Sequence, residues 1–245
     1  MNAGRTARDR ARAELTQEIK DVARRQLAAD GAERLSLRAI SRELGMVSSA
    51  LYRYFPSRDD LLTALIIDAY DALGSVAEKV SAAEKVSVAE KVSEPDPRST
   101  WIAVCHAVRQ WAKDHQHEYM LIYGSPIAGY QAPATTIQSA VRVAIVLLGV
   151  LTRAQREGRL DPLEAAREPS GVLAEQVAVV ARAAPGVPAT VLLRTVVAWT
   201  QLFGMISFEL FGQLARTMDP ADAFFADTIE QMATFVGLNR GVAAR

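Results

Sequence analysis

This chain of 245 residues contains one cysteine and three histidines and has a formal net charge of zero. These low values exclude several classes of protein. The single cysteine, Cys105, excludes an intrachain disulfide, which fits a reducing cytoplasm. We interpret Cys105 as a small buried side chain, with a redox-sensing thiol as the alternative. Arg142 and Arg194 interrupt the longest apolar runs, so none reaches the roughly 18 residues of a membrane span. The arginine-rich N-terminus lacks the apolar region of a secretory signal, so we expect a cytoplasmic protein.

Catalytic and metal-binding motifs are also missing. There is no P-loop, no glycine-rich dinucleotide loop and no G-x-S-x-G sequence, and the carboxylates form no separable acid–base pair. His115 and His117 are two residues apart, so on a helix they would point about 200° from each other. They could not share a metal ion there, and few other suitable ligands lie nearby. We therefore expect no enzyme, no metal site and no cofactor.

The residues that are present indicate an all-α fold. Half of them are apolar, which is enough for a large core, and no segment shows the alternation of strands with hairpin signals. The first helix is expected over 15–30, and a long helix is expected to run from Asp59 through Tyr70. In Asp219-Pro220 we recognise an N-cap followed by proline at the first helical position. Further helices are expected near 99–117, 119–124, 133–157, 169–183, 187–214 and 219–238.

The most informative stretch begins as a short amphipathic helix that ends at a sharp corner. Its apolar residues recur at the spacing of one buried helical face: Leu37, Ile40 and Leu44. Ser36 stands just before them, where its hydroxyl can cap the first turn. Gly45 follows them, where a chain leaving a helix turns left-handed. Ser41 is small, so a second helix could cross closely there.

The next segment reads as a second helix with a polar outer face. Ser48 is the expected N-cap, and Leu51 and Phe55 form the inner face. The outward side chains are those of Ser49, Tyr52 and Arg53. A helix–turn–helix needs this division, because one helix lies across the phosphates while the next enters the major groove. The alternative is an ordinary helical hairpin in a core. Ser57 and Asp60 then resemble a capping box for the following helix.

Charge is distributed unevenly although its total is zero. Residues 1–58 contain twelve Lys and Arg against seven Asp and Glu, a net charge of +5, so the remainder carries −5. Local charge, not the total, governs phosphate binding. Four arginines precede the first expected helix as a basic arm: Arg5, Arg8, Arg10 and Arg12. The arm is either a DNA-contacting tail or a solvated terminus.

Residues 16–65 resemble the DNA-binding head of the tetracycline-repressor (TetR) family of bacterial transcription regulators. The resemblance is carried by Ile19, Ala23, Leu27, Gly31, Ser36, Ile40, Ser41, Leu44, Gly45, Val47, Leu51, Tyr52, Tyr54, Phe55, Arg58, Leu61 and Leu62. Ser41 replaces the usual alanine and Arg58 the usual lysine, and both changes keep size or charge. Our candidates for contacts to base edges are Arg38, Ser48, Ser49, Tyr52 and Arg53. Candidates for phosphate contacts, as in relatives, are Tyr54, Ser57 and Arg58.

Two later segments concentrate aromatic residues, 111–126 and 199–212. Aromatic rings with polar tips suit a ligand pocket, whereas plain helix packing is the alternative. The family pairs its head with a ligand-sensing body, so we expect ligand contacts from Trp111, His115, Tyr119, Tyr123, Trp199 and Phe203. Both segments resemble a TetR C-terminal variety with a Trp-x-x-x-His-Gly motif. Phe203 stands in place of that histidine, which implies a more apolar effector.

The remaining sequence suggests a domain order and a partner. Residues 75–92 repeat a six-residue sequence (SVAEKV, SAAEKV, SVAEKV). On a helix this step places equivalent valines at different positions around the axis, so they cannot form one buried stripe. The repeat therefore predicts an exposed helical extension or a partly ordered loop. We expect a basic arm and helix-turn-helix domain over 1–62, a connecting helix and the repeat over 63–98, and a sensing and dimerisation domain over 99–245.

Ten apolar residues of the last two helices exceed what one helix face requires, namely Val191, Val196, Phe203, Phe208, Leu210, Phe224, Phe225, Ile229, Met232 and Phe235. They predict a homodimer through a four-helix bundle, with an internal core as the alternative. The expected function is a ligand-responsive repressor that binds a double-stranded, near-palindromic operator and is released by a small-molecule effector. The alternatives are a helical adaptor that docks a protein on the head surface, and a small-molecule enzyme on a helical scaffold.

Overall fold

The structure, a computed structural model, describes residues 3–86, 96–161 and 167–238, without the side chains of 3–6 and 84–86. Within these ranges the fold is all-α, as predicted, with one isolated bridge between Leu160 and Leu238 and no strand. The helices are α1 (Ala3–Asp30), α2 (Leu37–Glu43), α3 (Ser48–Leu51), α4 (Arg58–Val86), α5 (Pro97–Asp114), α6 (Gln116–Tyr123), α7 (Ile137–Ala140), α8 (Arg142–Arg156), α9 (Val172–Ala181), α10 (Ala189–Leu210) and α11 (Asp222–Phe235). Short 3₁₀ turns cover Ala32–Arg34 and Ala134–Thr136.

Three predicted helix boundaries are wrong. Helix α1 begins at Ala3, not at residue 15, because the stretch before 15 is rich in alanine and arginine, which favour a helix. The expected helix over 133–157 is divided at Val141 into α7 and α8. Helix α11 begins at Asp222, with Ala221 and not Asp219 at the N-cap, and the amide of Phe225 donates to the Ala221 carbonyl.

The chain forms two compact units. The first, here called the head unit, comprises the residues up to Tyr70 together with His115–Ser139. The second, the body unit, comprises Asp71–Asp114 and the residues from Ala140 onward. Helix α4 starts in the head unit and ends in the body unit, so it is a covalent connection between them. The functional domains predicted from the sequence are defined differently, and they stay a prediction.

The core of the head unit is a small apolar cluster shared by α1 to α4. Its buried members include Ile19, Ile40, Leu51 and Leu61, each fully removed from solvent. Burying a side chain of this size contributes about 1.5–3 kcal/mol. Partly buried residues of the 115–139 segment, among them Leu121, pack against the same cluster. This core fixes the orientation of the two short helices α2 and α3.

The core of the body unit lies among α5, α8, α10 and α11. Trp101, Leu147, Ile206 and Phe225 are almost completely buried there. Cys105 is also buried, and its burial raises the pKa of the thiol above the ordinary value. A thiol in that state is neutral and unreactive, so the structure agrees with a packing role for Cys105.

Two segments bear on earlier expectations. Helix α4 continues into the 75–92 repeat as far as Val86, with Glu78 and Lys79 exposed, while the residues after Val86 lie outside the described ranges. Helix α10 is apolar and long enough to cross a membrane, and the pair Ala134–Ala140 with Arg142–Arg156 passes the same test if counted as one span. Nine residues of α10 are nevertheless buried, and it packs on α5, α9 and α11, as a core helix does.

Candidate DNA-binding interface and sensing residues

The corner between α2 and α3 is built as the sequence predicts. The Ser36 hydroxyl accepts a hydrogen bond from the amide of Ala39 at 3.3 Å and so caps α2. Leu37 and Ile40 are buried, whereas Leu44 is partly buried. Gly45 has a φ of 65°, a conformation that glycine adopts without strain. The corner therefore depends on residues that are close together in the chain, so the sequence alone predicts its geometry.

The role predicted for Ser48 as an N-cap is wrong. Val47 occupies that position, and Ser48 is the first residue of α3. Its hydroxyl lies 3.1 Å from the hydroxyl of Ser41, a residue that is only 1% exposed. The two serines thus join α2 to α3 across the corner, which confirms the close approach expected at Ser41.

Helix α3 presents a polar face to solvent. Ser49, Arg53 and Tyr52 are exposed, the last by 42%, while Leu51 and Phe55 are buried in the head core. The helix itself is a single turn. Two tight turns continue it, since the amides of Tyr54 and Phe55 donate to the Leu51 carbonyl at 2.9 and 3.1 Å. Arg38, on α2, is exposed as well. The arrangement leaves hydroxyl, phenol and guanidinium groups available to a flat polar surface such as base edges.

The three residues expected to contact phosphates all have partners within the head. Ser57 donates to the carboxylate of Asp60 at 2.6 Å and accepts from its amide at 3.1 Å, so the Ser57 hydroxyl caps the start of α4, and Asp60 bonds this hydroxyl and not the backbone amide that a full capping box requires. Arg58 donates to the Ala32 carbonyl at 2.8 Å. Tyr54 lies under the guanidinium of Arg12, whose central carbon is 5.5 Å from the ring centroid.

The cations of the head unit fall into two groups. Lys20 and Arg24 bind Asp68 at 2.8 and 2.6 Å, and Arg25 binds Glu43 at 2.7 Å. Seven arginines are exposed and form no ion pair with any described residue: Arg8, Arg10, Arg12, Arg34, Arg38, Arg42 and Arg53. The guanidinium groups of the second group are available to the phosphates of a DNA backbone. Arg5 lies outside the described side chains.

Part of the predicted sensing set lies in the head unit. Tyr119 is fully buried, and its ring centroid is 5.1 Å from that of Tyr123. Tyr123 also meets the ring of Tyr70 edge-on at 6.0 Å, and the Tyr70 hydroxyl donates to the Ile122 carbonyl. Burial raises the pKa of both Tyr70 and Tyr123. His115, also in the predicted set, is exposed at the N-cap of α6.

The other predicted sensing residues lie in the body unit. Trp111 and Phe203 are each 6% exposed, and Trp199 meets Phe203 edge-on with 5.7 Å between ring centroids. The structure thus pairs Tyr119 with Tyr123 and Trp199 with Phe203, each within one unit. Their role in ligand binding stays a prediction.

Sequence reasoning did not foresee that arginines hold the body unit together. Arg109 donates to both carboxylate oxygens of Glu209, at 2.7 and 2.6 Å, and to Asp222 at 2.9 Å. Its guanidinium also covers the ring of Phe225 at 4.8 Å. The hydrogen bonds to Glu209 are the main reason that the pKa of Arg109 is raised.

A second arginine connects α8 to α4. Arg142 donates to the Asp71 carboxylate at 2.8 Å, to Ser75 at 3.0 Å and to both oxygens of Glu78. It passes so close to Gly74 that a β-carbon there would lie 2.7 Å from its own β-carbon. The contacts of Arg142 with Asp71, Ser75 and Glu78 are here called the clamp. The close approach of Arg142 requires glycine at position 74, whereas the backbone conformation there does not.

Comparison with known proteins identifies the family to which this chain belongs. A family model described as bacterial regulatory proteins, tetR family, matches residues 19–65, and one described as Tetracyclin repressor-like, C-terminal domain, matches residues 101–232. The second covers more than half of the chain. The chain belongs to the TetR family. It is a helix-turn-helix, DNA-binding regulator of transcription, as the resemblance of residues 16–65 implies.

Individual relatives of this TetR-family chain agree. HTH-type transcriptional regulators of Mycobacterium bovis and Mycobacterium tuberculosis are 38% identical over 228 residues, which is 89% of this chain and 91% of theirs. The crystal structure of protein SCO4313 is similar, with 30% identity, a TM-score of 0.70, and coverage of 92% of this chain and 98% of that one. The TetR-family regulator PfmR from Thermus thermophilus has the same fold at 20% identity and a TM-score of 0.54, with coverage of 91% and 99%.

The contacts that the sequence concealed join residues that are far apart in the chain. The partners of Arg109 are 100 and 113 residues away in the chain, and those of Arg142 are up to 71 residues away. No local pattern marks such pairs. Tyr70, which joins the aromatic group of Tyr119 and Tyr123, gave a clearer signal, because it follows Ile66 by one helical turn on a buried face of α4.

Proposed function

We propose that this chain is a cytoplasmic, ligand-responsive repressor that binds a near-palindromic operator as a homodimer and is released by a small-molecule effector. The observation that carries the proposal is the exposed polar face of α3 and the turns that continue it, with Ser49, Tyr52 and Arg53 outward and Leu51 and Phe55 anchored in the core. Such a face on the second helix of a helix–turn–helix is suited to the major groove.

Base reading falls to the exposed side chains of α2 and α3. Arg38 and Arg53 carry planar guanidinium groups without an ion pair among the described residues, and each can bind guanine with two hydrogen bonds. Tyr52 and Ser49 offer hydroxyl groups that accept or donate. Ser48 keeps a lone pair or its proton while bonded to Ser41. Tyr54, Ser57 and Arg58 are proposed for phosphates, where contacts position the protein without reading sequence.

Exposed apolar side chains on α10 and α11 support the homodimer. Part of the predicted apolar set is internal, because Val191, Phe225 and Ile229 are buried. A further group remains exposed, namely Val196, Val197, Phe208, Phe211 and Phe235. Phe208 is 55% exposed and lines a shallow pocket of about 270 Å³ with Phe224. An apolar surface of this kind suits a two-fold interface, in which each subunit presents the same patch.

Effector contacts are proposed within each unit separately: from Trp111, Trp199 and Phe203 in the body unit, and from His115, Tyr119 and Tyr123 in the head unit. Phe203, where the resemblance expects a histidine, is an apolar ring in place of a hydrogen-bonding group, so an apolar effector is favoured. An effector can release DNA only by binding better to a conformation whose two heads no longer match successive major grooves. Helix α4, which belongs to both units, is the proposed lever.

Binding to mixed genomic DNA, together with sedimentation, tests the proposal. We expect a dimer whose affinity falls steeply as salt rises, since phosphate contacts release counterions. Affinity that is indifferent to salt would favour the adaptor that docks a protein on the head surface. A strictly monomeric particle would contradict the two-fold operator.

A substitution can test the effector site. A thermal-shift screen of apolar small molecules should find compounds that stabilise the protein, and these should lower DNA affinity when titrated into the complex. Phe203→His restores the motif of the C-terminal variety and should weaken the binding of such compounds. Compounds that bind at Phe203 and leave DNA affinity unchanged would contradict the proposal that the effector releases the operator.

A further inference from the structure

Helix α1 extends beyond the core of the head unit, and its inner face changes character where it does so. At about 100° per residue, Arg8, Arg12, Leu15 and Ile19 fall within about 60° of one another around the helix. Ile19 is fully buried and Leu15 partly buried, so this stripe marks the side of α1 that faces the head core. One and two turns earlier the same stripe carries arginine.

The arginine nearer the core has a partner beside residues 48–53, which comprise α3 and the start of the following turn and are here called the recognition segment. The guanidinium of Arg12 lies 5.5 Å from the ring centroid of Tyr54. Tyr54 directly follows Arg53, is partly buried against the head core, and has its amide bonded to the Leu51 carbonyl of α3. Stacking of a cation on an aromatic face is attractive, so this contact holds the extension of α1 over the turn that follows α3.

The arginine farther from the core has no such partner. Arg8 is exposed and forms no ion pair with any side chain that the structure describes. The neighbouring acids do not share its face, because Asp9 and Glu14 lie at least about 100° from it around the helix. A positive charge thus stands one turn beyond Arg12, on the side of α1 that the Tyr54 contact turns toward the recognition segment.

We propose that Arg8 binds a phosphate of the duplex next to the base pairs that α3 reads, and that the stacking of Arg12 on Tyr54 positions it there. The inference rests on the proposed operator binding and adds a second DNA-contacting element to it. The N-terminal extension is then a helical arm with one functional face. Arg8 is the contact, and Arg12 is a positioning residue.

Arg10 provides a matched control, because it is equally exposed and charged but lies about 200° around the helix from Arg8. The measurement is the affinity of the full-length protein for a labelled mixed-sequence duplex over a series of NaCl concentrations. Each phosphate contact contributes about 0.9 to the slope of log affinity against log salt. Arg8→Gln should lower the slope by about that amount per subunit, whereas Arg10→Gln should leave it unchanged.

The positioning role has its own readout. In an Arg12→Gln background, Arg8→Gln should change the slope by clearly less than it does in the wild type, because the arm is no longer held. A full effect of Arg8→Gln in that background would show that the stacking does not position it.

Three results would overturn the inference, and they are distinguishable. Equal slopes for wild type, Arg8→Gln and Arg10→Gln would remove the Arg8 contact while leaving operator binding by α3 intact. Equal losses in both variants would show a general effect of charge and no functional face. Absence of salt-dependent duplex binding by the wild type would remove the operator proposal and this inference together.

Discussion

Arginine serves opposite purposes in the two units of this TetR-family regulator. In the body unit Arg98 and Arg109 are each only 6% exposed, and each binds carboxylates across helices. In the head unit Arg38, Arg42 and Arg53 are exposed and form no ion pair among the described residues. The buried arginines of the body unit are internal ties, and the exposed, unpaired arginines of the head unit are external probes.

Physical chemistry explains the division. A guanidinium that leaves water must regain its hydrogen bonds, and Arg109 does so with Glu209 and Asp222. A guanidinium that is to bind DNA must instead reach the surface without an internal carboxylate, as Arg53 does. Substitutions in the body unit should therefore change stability, and those on the polar face of the head unit should change binding.

The largest effect is expected from the buried tie. Arg109→Ala leaves Glu209 without its main partner and uncovers the ring of Phe225, so it should lower the free energy of unfolding by about 3 kcal/mol. Urea denaturation measures this loss. Arg53→Ala is the matched control and should change the same free energy by less than about 0.5 kcal/mol. Equal losses in the two variants would erase the contrast between tie and probe.

The reverse result is expected for DNA. Arg38→Ala should weaken binding to the true operator by about 1–3 kcal/mol and relax preference at one base position, while stability is kept. Arg58→Ala, if Arg58 contacts a phosphate, should weaken all sequences alike and flatten the salt dependence. Anisotropy titrations with operator and scrambled duplexes separate the two patterns. Normal operator binding by both variants would show that the contact residues are wrongly assigned.

The clamp on α4 should be sensitive to a single methyl group. Gly74→Ala places a β-carbon 2.7 Å from that of Arg142, so the clamp must shift, which should cost about 1–3 kcal/mol of stability. Gly149→Ala in α8 is the control, since nothing lies within 4 Å of its β-carbon and alanine favours the helix. Thermal melting compares them. A stabilising Gly74→Ala would mean that Arg142 does not hold α4 as described.

The smallest expected effect is on the way stability depends on pH in the acid range. The hydrogen bond from Arg142 is the first cause that lowers the pKa of Glu78 in the folded state. A lowered carboxyl pKa stabilises the fold above the unfolded pKa of about 4.3, and the contribution is lost as pH falls through the folded value. The stability difference between wild type and Glu78→Gln should therefore shrink from pH 7 into the acid range. In an Arg142→Gln background it should vary little with pH; persistence there would implicate another partner.

These contrasts also separate what the sequence reveals from what it conceals. Local spacing predicts the Ser36 cap, the Gly45 corner, the buried faces of α2 and α3 and the Ser57 cap, because each depends on neighbours within a few residues. The hydroxyl of Ser48 was assigned to the wrong role because its partner, Ser41, approaches only when two helices cross. The start of α1 lies in an arginine-rich stretch whose charge indicates a basic arm, whereas the helix propensity of alanine and arginine makes it helical.

The central claim is that α3 reads duplex DNA in a two-fold arrangement, and selection from a random duplex library tests it most directly. The account predicts enrichment of near-palindromes whose half-sites are centred about 10 base pairs, or a multiple of that, apart. It also predicts that Arg53→Ala loses preference at symmetry-related positions. Enrichment of no sequence by the wild-type protein, or of a single unpaired half-site, would contradict it.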